Sequence, residues 1–541
     1  MKKILCCAAF LYFPITLQAD PYVSRLEMLS ADKASLAIAG EKYDKLRRVK
    51  VQLDGVEVDT SWKSVNDLAV TTISVPAGGQ WLSIDGPRSK PRAVQIGTSK
   101  SPFDQLTIYH LWLGMFNNAN PENDMAGMFG WVNDDYSGGD LQGVLDKVDY
   151  IASTGVNAVW FSPVFASGTS HGYDATNYYR IGKAVGDKDA QKAMKIFEQV
   201  RDALHERGIK VYLDLALNHA AGAYSRKAGD PKQFKPKHTK ARSPDEKTWE
   251  SWGTNYLFWN FRNENTREFL KDVARFWLEE GKVDGFRFDY VKGIPESFWE
   301  ELYPYLKGIK PDVYLVGEAW DRTRVIQDYY QSDDSKPLFD SLLDFPMQSE
   351  LVSTFARGNS FEYFIGEWQE IMGAYGALGR PALFLDNHDL ERFMSWTNDE
   401  KRLEMAMAFL ATQSNPIIMF YGTEVGLRNK RPSSGFTDDG RITMPWGNLD
   451  KNLLNMTSGL LQLRKAHPVF SQGNLLPVYV APDQLAYTKQ YKDSRILVLF
   501  NHANHEFDFA RVLDEVGAKG ALWGKDKSLT VNGSGVKILL L

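Results

Sequence analysis

The chain has 541 residues, which is enough for two to four domains at roughly 100 to 200 residues each. Hydrophobic residues make up 43% and charged residues 24% of the chain, and this composition excludes a small disulfide scaffold, a disordered chain and a fibrous one. The formal net charge of −5, without a dense basic run, gives no electrostatic footprint for nucleic acid, so nucleic acid is excluded as a partner.

Residues 1–19 are typical of a secretory signal peptide. Two lysines precede an apolar run, and Ala19 is a small residue that suits cleavage. The run is short for a membrane anchor, and no later segment is long enough to span a bilayer. Cys6 and Cys7 are the two cysteines of the chain, so the mature protein would have no disulfide. We therefore predict an exported protein, periplasmic or extracellular, with no membrane insertion after signal removal.

Residues 20–100 read as short antiparallel strands. Apolar and polar residues alternate on both sides of Asp54-Gly55, which is a strong hairpin signal. The predicted strands are Val49–Leu53, Val56–Val58, Leu68–Val75 and Gln80–Ile84. We predict a small N-terminal β-sandwich here.

Residues 101–467 alternate between apolar runs of strand length and amphipathic segments of helix length, which predicts a parallel sheet with helical crossovers. The eight strand-like runs are Thr107–Leu113, Asn157–Phe161, Ile209–Leu215, Gly285–Asp289, Val313–Glu318, Phe339–Phe345, Ala382–Asn387 and Pro416–Tyr421. Eight parallel strands close a TIM barrel, so the predicted fold class is α/β with a (β/α)8 barrel. A doubly wound open sheet is the alternative, but the GxGxxG pattern is absent after the first strand.

The connection after the third predicted strand is too long for a simple loop. Residues 219–263 are rich in Lys, Pro, Trp and Gly, and an insertion of this size at the C-terminal face of a barrel is usually functional. We predict an inserted domain here, with Trp249, Trp252 and Trp259 as candidate aromatic platforms. Residues 468–541 again alternate as short strands, which predicts a C-terminal β-sandwich.

Polar residues fall at the carboxyl ends of four predicted barrel strands. Active sites of TIM barrels are built at this rim. A single Asp or His after a strand is usually a helix cap or a loop group, but four coincident cases predict an active site. The residues are Asp214, Asn218 and His219 at strand three, Arg287 and Asp289 at strand four, Glu318 at strand five, and Asp386, Asn387, His388 and Asp389 at strand seven.

Three carboxylates near one point suit glycoside hydrolysis, in which one carboxylate attacks the anomeric carbon and a protonated one donates to the leaving oxygen. Arg287 lies two residues before Asp289 on the same strand, so its charge should hold Asp289 ionised as the nucleophile. Glu318 follows an apolar strand, and partial desolvation would raise its pKa, as a general acid needs. Asp389 is left to hold sugar hydroxyls. The aromatic content of 13% is also typical of sugar-binding clefts.

These motifs, in this order, resemble the α-amylase family of retaining glycoside hydrolases, in the group of amylases, neopullulanases and cyclomaltodextrinases. The resemblance implies that Asp289 is the nucleophile, Glu318 the acid/base and Asp389 the third carboxylate. It also implies sugar contacts, with Tyr173 stacking beneath the sugar at the cleavage subsite. The matching motifs are Asp214-Leu-Ala-Leu-Asn218-His219, Gly285-Phe-Arg287-Phe-Asp289-Tyr-Val-Lys292, Gly317-Glu318 and Asn387-His388-Asp389, and the predicted substrate-binding residues are Tyr173, His219, Arg287, Lys292 and His388.

A loop after the first barrel strand carries a second constellation. Oxygen-only ligands in a turn-rich loop suit a hard cation, calcium more than zinc, although Asn and Asp are also ordinary turn residues. The spacing resembles the calcium loop of neopullulanase-like members, in which Gly138 would contribute its carbonyl. We therefore expect Ca²⁺ as a cofactor. The predicted ligands are Asn118, Asn120, Asn123, Asp124, Gly138 and Asp140.

Two stretches depart from the family pattern. Lys292-Gly293 stands where the family often has Lys-His, and Asn260-Phe261-Arg262 stands where it usually has Asp-Leu-Asn, which puts a second calcium in doubt.

The predicted function is an exported, calcium-stabilised, retaining α-glucan hydrolase that cleaves α-1,4-glucosidic bonds of starch or maltooligosaccharides through a covalent glycosyl-enzyme intermediate, as a monomer or a homodimer. The alternatives are a cyclomaltodextrinase- or neopullulanase-type hydrolase and a glucosyl transferase. A catalytically silent carbohydrate-binding barrel is the alternative from another class, and the presence of all three carboxylates argues against it.

Overall fold

The computed structural model describes residues 22–30, 33–39, 49–65, 68–75, 81–85, 92–95, 101–124, 137–221, 256–376, 378–431, 437–513 and 517–541. The predicted signal peptide and most of the predicted insertion, with Trp249 and Trp252, lie outside the described residues. In the described ranges, every helix is too short or too polar to cross a membrane.

Two antiparallel four-stranded sheets form the N-terminal part. Their facing apolar side chains, among them Leu36, Ile73 and Leu82, form one buried cluster, so this part is a β-sandwich. The predicted hairpin at Asp54-Gly55 forms, because Leu53 pairs with Val56 and both turn residues have positive φ. One sheet contains Tyr22–Ser30, Lys33–Ala39, Leu68–Ser74 and Lys63–Val65, and the other Val56–Glu57, Lys50–Leu53, Trp81–Asp85 and Arg92–Gln95.

Eight parallel strands make up the central sheet, one in each predicted run. A parallel bridge between Leu343 and Ala382 joins the two edge strands of the sheet, and Ala382 donates its main-chain N–H to the carbonyl of Leu342 at 2.8 Å. The sheet therefore closes, which confirms the predicted (β/α)8 barrel. The barrel strands, one to eight in chain order, are Thr107–Leu111, Ala158–Phe161, Lys210–Leu215, Gly285–Phe288, Tyr314–Gly317, Ser341–Leu342, Leu383–Phe384 and Ile417–Phe420.

Barrel strands six and seven are shorter than predicted, with two residues each. The predicted sixth strand extended to Phe345, but Phe345 begins a helix. Asp344 caps that helix by accepting a hydrogen bond from the main-chain N–H of Met347, and Pro346 stands in its first turn. The capping chemistry of Asp and Pro therefore ends the extended run.

Helices surround the barrel and pack their apolar faces against it. The predicted helices Ala190–Arg207, Thr266–Glu280 and Leu453–His467 are present within two residues of their predicted ends. In the part of the chain that the structure describes, the helices are Leu113–Phe116, Leu141–Leu145, Val148–Ser153, Ala190–His205, Glu264–Glu279, Glu296–Ile309, Thr323–Gln327, Phe345–Leu351, Phe361–Tyr375, Phe393–Trp396, Glu400–Ala411, Lys451–Ala466 and Val469–Gln472, with a π-helical turn at Val352–Ala356 and short 3₁₀ turns at Pro121–Asn123, Val291–Gly293, Thr423–Val425 and Phe509–Arg511.

Two short antiparallel ribbons stand above the C-terminal rim of the barrel. Phe165–Ser167 pairs with Ala175–Ile181 after barrel strand two. His219–Ala221 pairs with Tyr256–Phe258, so the described ends of the predicted insertion are hydrogen-bonded to each other at its base. Trp259, a proposed aromatic platform, has only 1% of its surface exposed and therefore belongs to the core.

The C-terminal part contains a five-stranded antiparallel sheet and a two-stranded ribbon. Buried side chains of both, including Leu497 and Val531, form one cluster. Lys489 on this sheet is buried and donates to the carbonyl of Phe470 at 2.6 Å, so polar as well as apolar contacts join the sheet to the preceding helices. The strands are Asn474–Val480, Gln484–Tyr491, Ser494–Asn501, Gly535–Leu540 and Gly520–Trp523, with Phe507–Asp508 and Thr530–Val531 in the ribbon.

Candidate active site

The guanidinium of Arg287 lies among three carboxylates at the C-terminal rim of the barrel. Arg287 Nη1 lies 2.8 Å from Asp214 Oδ1 and 2.7 Å from Asp289 Oδ1, and Arg287 Nη2 lies 2.8 Å from Glu318 Oε1. The Arg287 side chain is fully buried. Its contacts with the three carboxylates hold them together; the predicted contact of Arg287 with the sugar stays a prediction.

Strand register explains this grouping. Asp214 pairs directly with Arg287 on the neighbouring strand, so the two side chains lie in one layer of the barrel interior. Phe288 pairs with Gly317 at the next rung. Asp289 and Glu318 are therefore equivalent positions, each the first residue beyond its strand.

Burial raises the pKa values of the Asp289 and Glu318 carboxyl groups. It raises the pKa of Asp289 to about 6, although the charge of Arg287 opposes the shift. The sequence predicted that Arg287 would hold Asp289 ionised. The charge of Arg287 does lower the pKa of Asp289, but burial and the nearby charges of Asp214 and Asp389 raise it by more. Burial also raises the pKa of Glu318 to about 8 against the effect of Arg287, so Glu318 is the more readily protonated of the pair.

The pKa of Asp389 is lowered, in contrast to those of Asp289 and Glu318. Burial alone would raise it, but the neighbouring His388, Arg441 and Arg287 together hold the pKa of Asp389 well below its ordinary value. Arg441 Nη2 donates to Asp389 Oδ1 at 3.1 Å, and His388 Nε2 lies 3.1 Å from Asp389 Oδ2. Asp389 is therefore charged throughout the neutral range and suits a role in holding hydroxyls or stabilising positive charge.

Tyr173 connects the two sides of the site. Its hydroxyl donates to Asp214 Oδ2 at 2.9 Å and lies 2.8 Å from His388 Nε2. Because the Tyr173 proton goes to Asp214, the contact between Tyr173 and His388 requires a proton on His388 Nε2, which has both the Tyr173 oxygen at 2.8 Å and Asp389 Oδ2 at 3.1 Å as acceptors. The Tyr173 ring is nearly parallel to that of His388, with centroids 5.6 Å apart. These contacts fix the orientation of the Tyr173 ring, and its predicted stacking beneath the sugar stays a prediction.

His219 and Lys292 occupy different parts of the rim. His219 follows barrel strand three, and its ring lies 4.6 Å from that of Tyr256, at the base of the predicted insertion. The Lys292 ammonium donates to the carbonyl of Trp320 at 2.7 Å and to Asp321 Oδ2 at 2.9 Å. Lys292 therefore ties together the loops that follow strands four and five.

Three contributors to the site were missed from the sequence. Trp160 donates its indole N–H to Asp214 Oδ2 at 3.0 Å, Arg441 binds Asp389, and the main-chain N–H of Tyr290 donates to Glu318 Oε2 at 3.0 Å. Trp160 lies in an apolar strand and reads as core. Arg441 lies 52 residues beyond Asp389 in a loop, so no spacing rule could connect the two.

The predicted calcium loop is drawn together around Gly138. The amide of Asn118 donates to Asp124 Oδ2 at 3.0 Å. Gly138 has a φ of 78°, and a Cβ there would lie 2.2 Å from Asn118 Nδ2 and 2.3 Å from Asp124 Oδ1. Only glycine allows this close approach at positive φ.

The donor set of this loop fits a hard cation. The Oδ1 atoms of Asn118 and Asn123 are buried and have no hydrogen-bond partner among the described residues, and such orphaned oxygens are what Ca²⁺ takes as ligands. Asn120 lies in the same turn and donates its main-chain N–H to Asp140 Oδ2 at 2.8 Å. Asp140 also caps the helix Leu141–Leu145 through Gly143, so its carboxylate has a structural role.

Comparisons with known proteins identify the family of this chain. The family described as Alpha amylase, catalytic domain, matches residues 111–446. A cyclomaltodextrinase of Bacillus sp is 29% identical over 424 residues, covering 73% of this chain and 72% of the relative. Alpha-amylase 3 of Dictyoglomus thermophilum is 30% identical over 431 residues, covering 70% and 84%. An intracellular maltogenic amylase of Bacillus subtilis is 25% identical over 389 residues, covering 68% and 63%.

The fold comparison gives the same result. The crystal structure of an Anoxybacillus α-amylase superposes with a TM-score of 0.70 at 26% identity, over 82% of this chain and 99% of that one. The family match covers more than half of the chain and spans all four rim motifs, which confirms the resemblance drawn from them. The chain belongs to the α-amylase family of glycoside hydrolases.

Proposed function

We propose that this enzyme hydrolyses α-1,4-glucosidic bonds of starch or maltooligosaccharides with retention of anomeric configuration. The observation that carries the mechanism is the pair Asp289 and Glu318, whose oxygens lie 2.7 and 2.8 Å from the two terminal nitrogens of one guanidinium. A shared guanidinium keeps the two carboxyl groups close, as retaining enzymes need, whereas inverting enzymes leave room for a water between them.

Glu318 has the higher pKa of the pair and is therefore assigned as the acid, and Asp289 as the nucleophile. The Asp289 carboxylate attacks the anomeric carbon, the glycosidic C–O bond breaks, and Glu318 gives its proton to the leaving oxygen. The resulting glycosyl-enzyme is then attacked by water, Glu318 takes the proton of that water, and Asp289 leaves as a carboxylate. Asp389 and Arg441 flank the centre, where a fixed negative charge stabilises positive charge on the sugar.

A cyclomaltodextrinase-type activity is the second candidate, supported by the relative of that name. Product analysis after separate incubation with soluble starch, β-cyclodextrin, pullulan and maltotriose distinguishes the two. Attack on starch and maltooligosaccharides, with the α-anomer formed first by NMR, is expected. Rapid ring opening with little attack on starch would favour the second candidate, and a β-anomer as first product would contradict retention.

The activity is expected to follow a bell-shaped pH profile with its maximum near pH 7. Asp289 must be deprotonated, so kcat/KM should rise through its pKa of about 6. Glu318 must be protonated, so kcat/KM should fall through its pKa of about 8. Initial rates on a maltooligosaccharide between pH 4 and 10 measure both limbs. A profile that is flat from pH 6 to 10 would contradict the assignment of Glu318.

We propose that the loop around Gly138 binds Ca²⁺ through Asn118, Asn120, Asn123, Asp124, the Gly138 carbonyl and Asp140. The bound ion would stabilise the fold, since it binds the native loop and not the unfolded chain. At one hundred times its Kd, calcium would contribute about 2.7 kcal/mol.

Removal of calcium with EDTA is therefore expected to lower the Tm, and added CaCl₂ should restore it. Asp124→Ala should lower the Tm to the EDTA value and abolish the response to calcium, whereas Asp149→Asn, at an exposed position, should respond as the unmodified enzyme does. A calcium-dependent Tm that persists in Asp124→Ala would refute this site.

We also propose export, on the strength of the signal-like residues 1–19. A curated relative is named intracellular, so relatives do not decide the compartment. Cell fractionation with mass spectrometry of the N-terminus tests it, and a mature chain starting near Asp20 outside the cytoplasm is expected. Full-length protein retained in the cytoplasm would refute export.

A further inference from the structure

The residue after the nucleophile has an unusual backbone conformation. Tyr290 has φ 42° and ψ 56°, in the left-handed region that side chains with a Cβ rarely adopt. It stands between barrel strand four and the 3₁₀ turn Val291–Gly293. Such strain persists only where the surroundings enforce it, and it is concentrated at functional sites.

This conformation directs a main-chain donor at the acid/base. The Tyr290 N–H donates to Glu318 Oε2 at 3.0 Å, while Glu318 Oε1 lies 2.8 Å from Arg287 Nη2. Each carboxyl oxygen of Glu318 therefore has its own positioning partner. The next amide, that of Val291, donates to the main-chain oxygen of Glu318 at 3.0 Å, so the two loops are joined along their backbones as well.

The absence of a side chain at Gly293 makes room for this arrangement. A Cβ there would lie 2.7 Å from both Cδ1 and Cε1 of the Tyr290 ring, and 2.5 Å from Oδ1 of the buried Asn218. Gly293 also donates its N–H to the Tyr290 carbonyl at 3.0 Å. The Tyr290 ring thus occupies the space that a side chain at 293 would need, which gives a physical reason for Lys292-Gly293 in place of Lys-His.

We propose that the main-chain N–H of Tyr290 is a positioning donor for the acid/base Glu318, and that its left-handed conformation is kept by a turn that accepts only glycine at position 293. The inference rests on the proposed role of Glu318. The Tyr290 N–H aligns the carboxyl group of Glu318 and lowers its pKa.

The effect on pH dependence follows from the groups that face Glu318. Arg287 from strand four favours its charged form, whereas Asp289, Asp214 from strand three and Asp389 from the loop after strand seven oppose it. The Tyr290 N–H also favours the charged form. Its loss should therefore raise the pKa of Glu318 and move the alkaline limb of the pH profile to higher pH.

The test replaces Tyr290 by its α-hydroxy acid analogue, which puts an ester oxygen in place of the N–H and leaves the side chain in place. The alkaline limb of kcat/KM is expected to move upward by about one pH unit, the effect of losing one hydrogen bond to a charged group. The fall in kcat should be larger for maltooligosaccharides than for an aryl glycoside whose leaving group needs no proton.

The matched control makes the same replacement at Val291, whose N–H binds the main-chain oxygen of Glu318 instead of its carboxyl group. Its alkaline limb should stay at the position of the unmodified enzyme, whatever its effect on stability. An unmoved limb in the Tyr290 analogue, or equal movement in both analogues, would overturn the inference.

Gly293→Ala tests the second half of the proposal. Its added methyl should displace the Tyr290 ring and move the alkaline limb in the same direction as the Tyr290 analogue; an unmoved limb would show that glycine is not required. The unmodified enzyme and Glu318→Gln separate this inference from the proposed function. If the unmodified enzyme hydrolyses no glucan, or Glu318→Gln retains full activity, the proposed function itself fails.

Discussion

Asp289→Asn is expected to abolish hydrolysis while leaving the fold intact. The amide oxygen of asparagine can still accept a hydrogen bond from Arg287, so the packing of the site is kept. The neutral amide cannot attack the anomeric carbon, and the loss of a covalent nucleophile costs at least about 10⁴-fold in kcat. Reducing-sugar release from starch measures the activity, and circular dichroism with thermal melting measures the fold.

Asp149→Asn is the matched control for this experiment. The Asp149 side chain is 89% exposed and pairs with Arg207 on the outside of the barrel, so its loss should change neither kcat nor the Tm appreciably. Full activity in Asp289→Asn would refute the mechanism. Equal losses in both variants would point to a general effect of the substitution.

Glu318→Gln is expected to lose more activity on substrates whose leaving group must be protonated than on substrates whose leaving group departs as an anion. Glutamine keeps the volume of the side chain and can still accept from the Tyr290 N–H, but it cannot donate the catalytic proton. General acid catalysis contributes about 10² to 10⁴-fold, so hydrolysis of maltooligosaccharides should fall by that factor. An activated aryl glycoside or glycosyl fluoride should still react with Asp289.

The second step should then become slow, because Glu318 no longer deprotonates the attacking water. Mass spectrometry of the intact protein should detect the accumulated glycosyl-enzyme, and azide, which attacks without losing a proton, should restore turnover. Glu279→Gln, in an exposed ion pair with Arg275, is the control and should behave as the unmodified enzyme. Equal losses on natural and activated substrates would contradict the acid/base role.

The sequence alone was sufficient to predict the barrel and the identity of its rim carboxylates. Each strand and helix has its own local pattern of apolar residues, and residues at the carboxyl ends of parallel strands meet at one rim whatever the loops do. Asp289 and Glu318 could therefore be placed from the ends of two apolar runs. Strand lengths were less accurate, because the helix cap at Asp344 ends the sixth strand earlier than its apolar run does.

The properties of those carboxylates depended on contacts between distant segments. Arg287 could be paired with Asp289 from their spacing in the sequence. The contact of Asp214 with the same guanidinium, and the burial that raises the pKa of Asp289, arise only when strands three and four lie side by side. Arg441 reaches Asp389 from a loop after the eighth strand, and the spacing of the two residues in the chain does not indicate this contact.

The backbone at Tyr290 shows the same division. The sequence determined that Lys292-Gly293 departs from the family pattern, but it gave no reason for the departure. Only the tertiary structure decided that the Tyr290 ring fills the space beside Gly293 and that its N–H points at Glu318. The physical reason is that local patterns fix which residues form strands, whereas proton affinities and close packing depend on which atoms the folded chain brings within a few ångströms of one another.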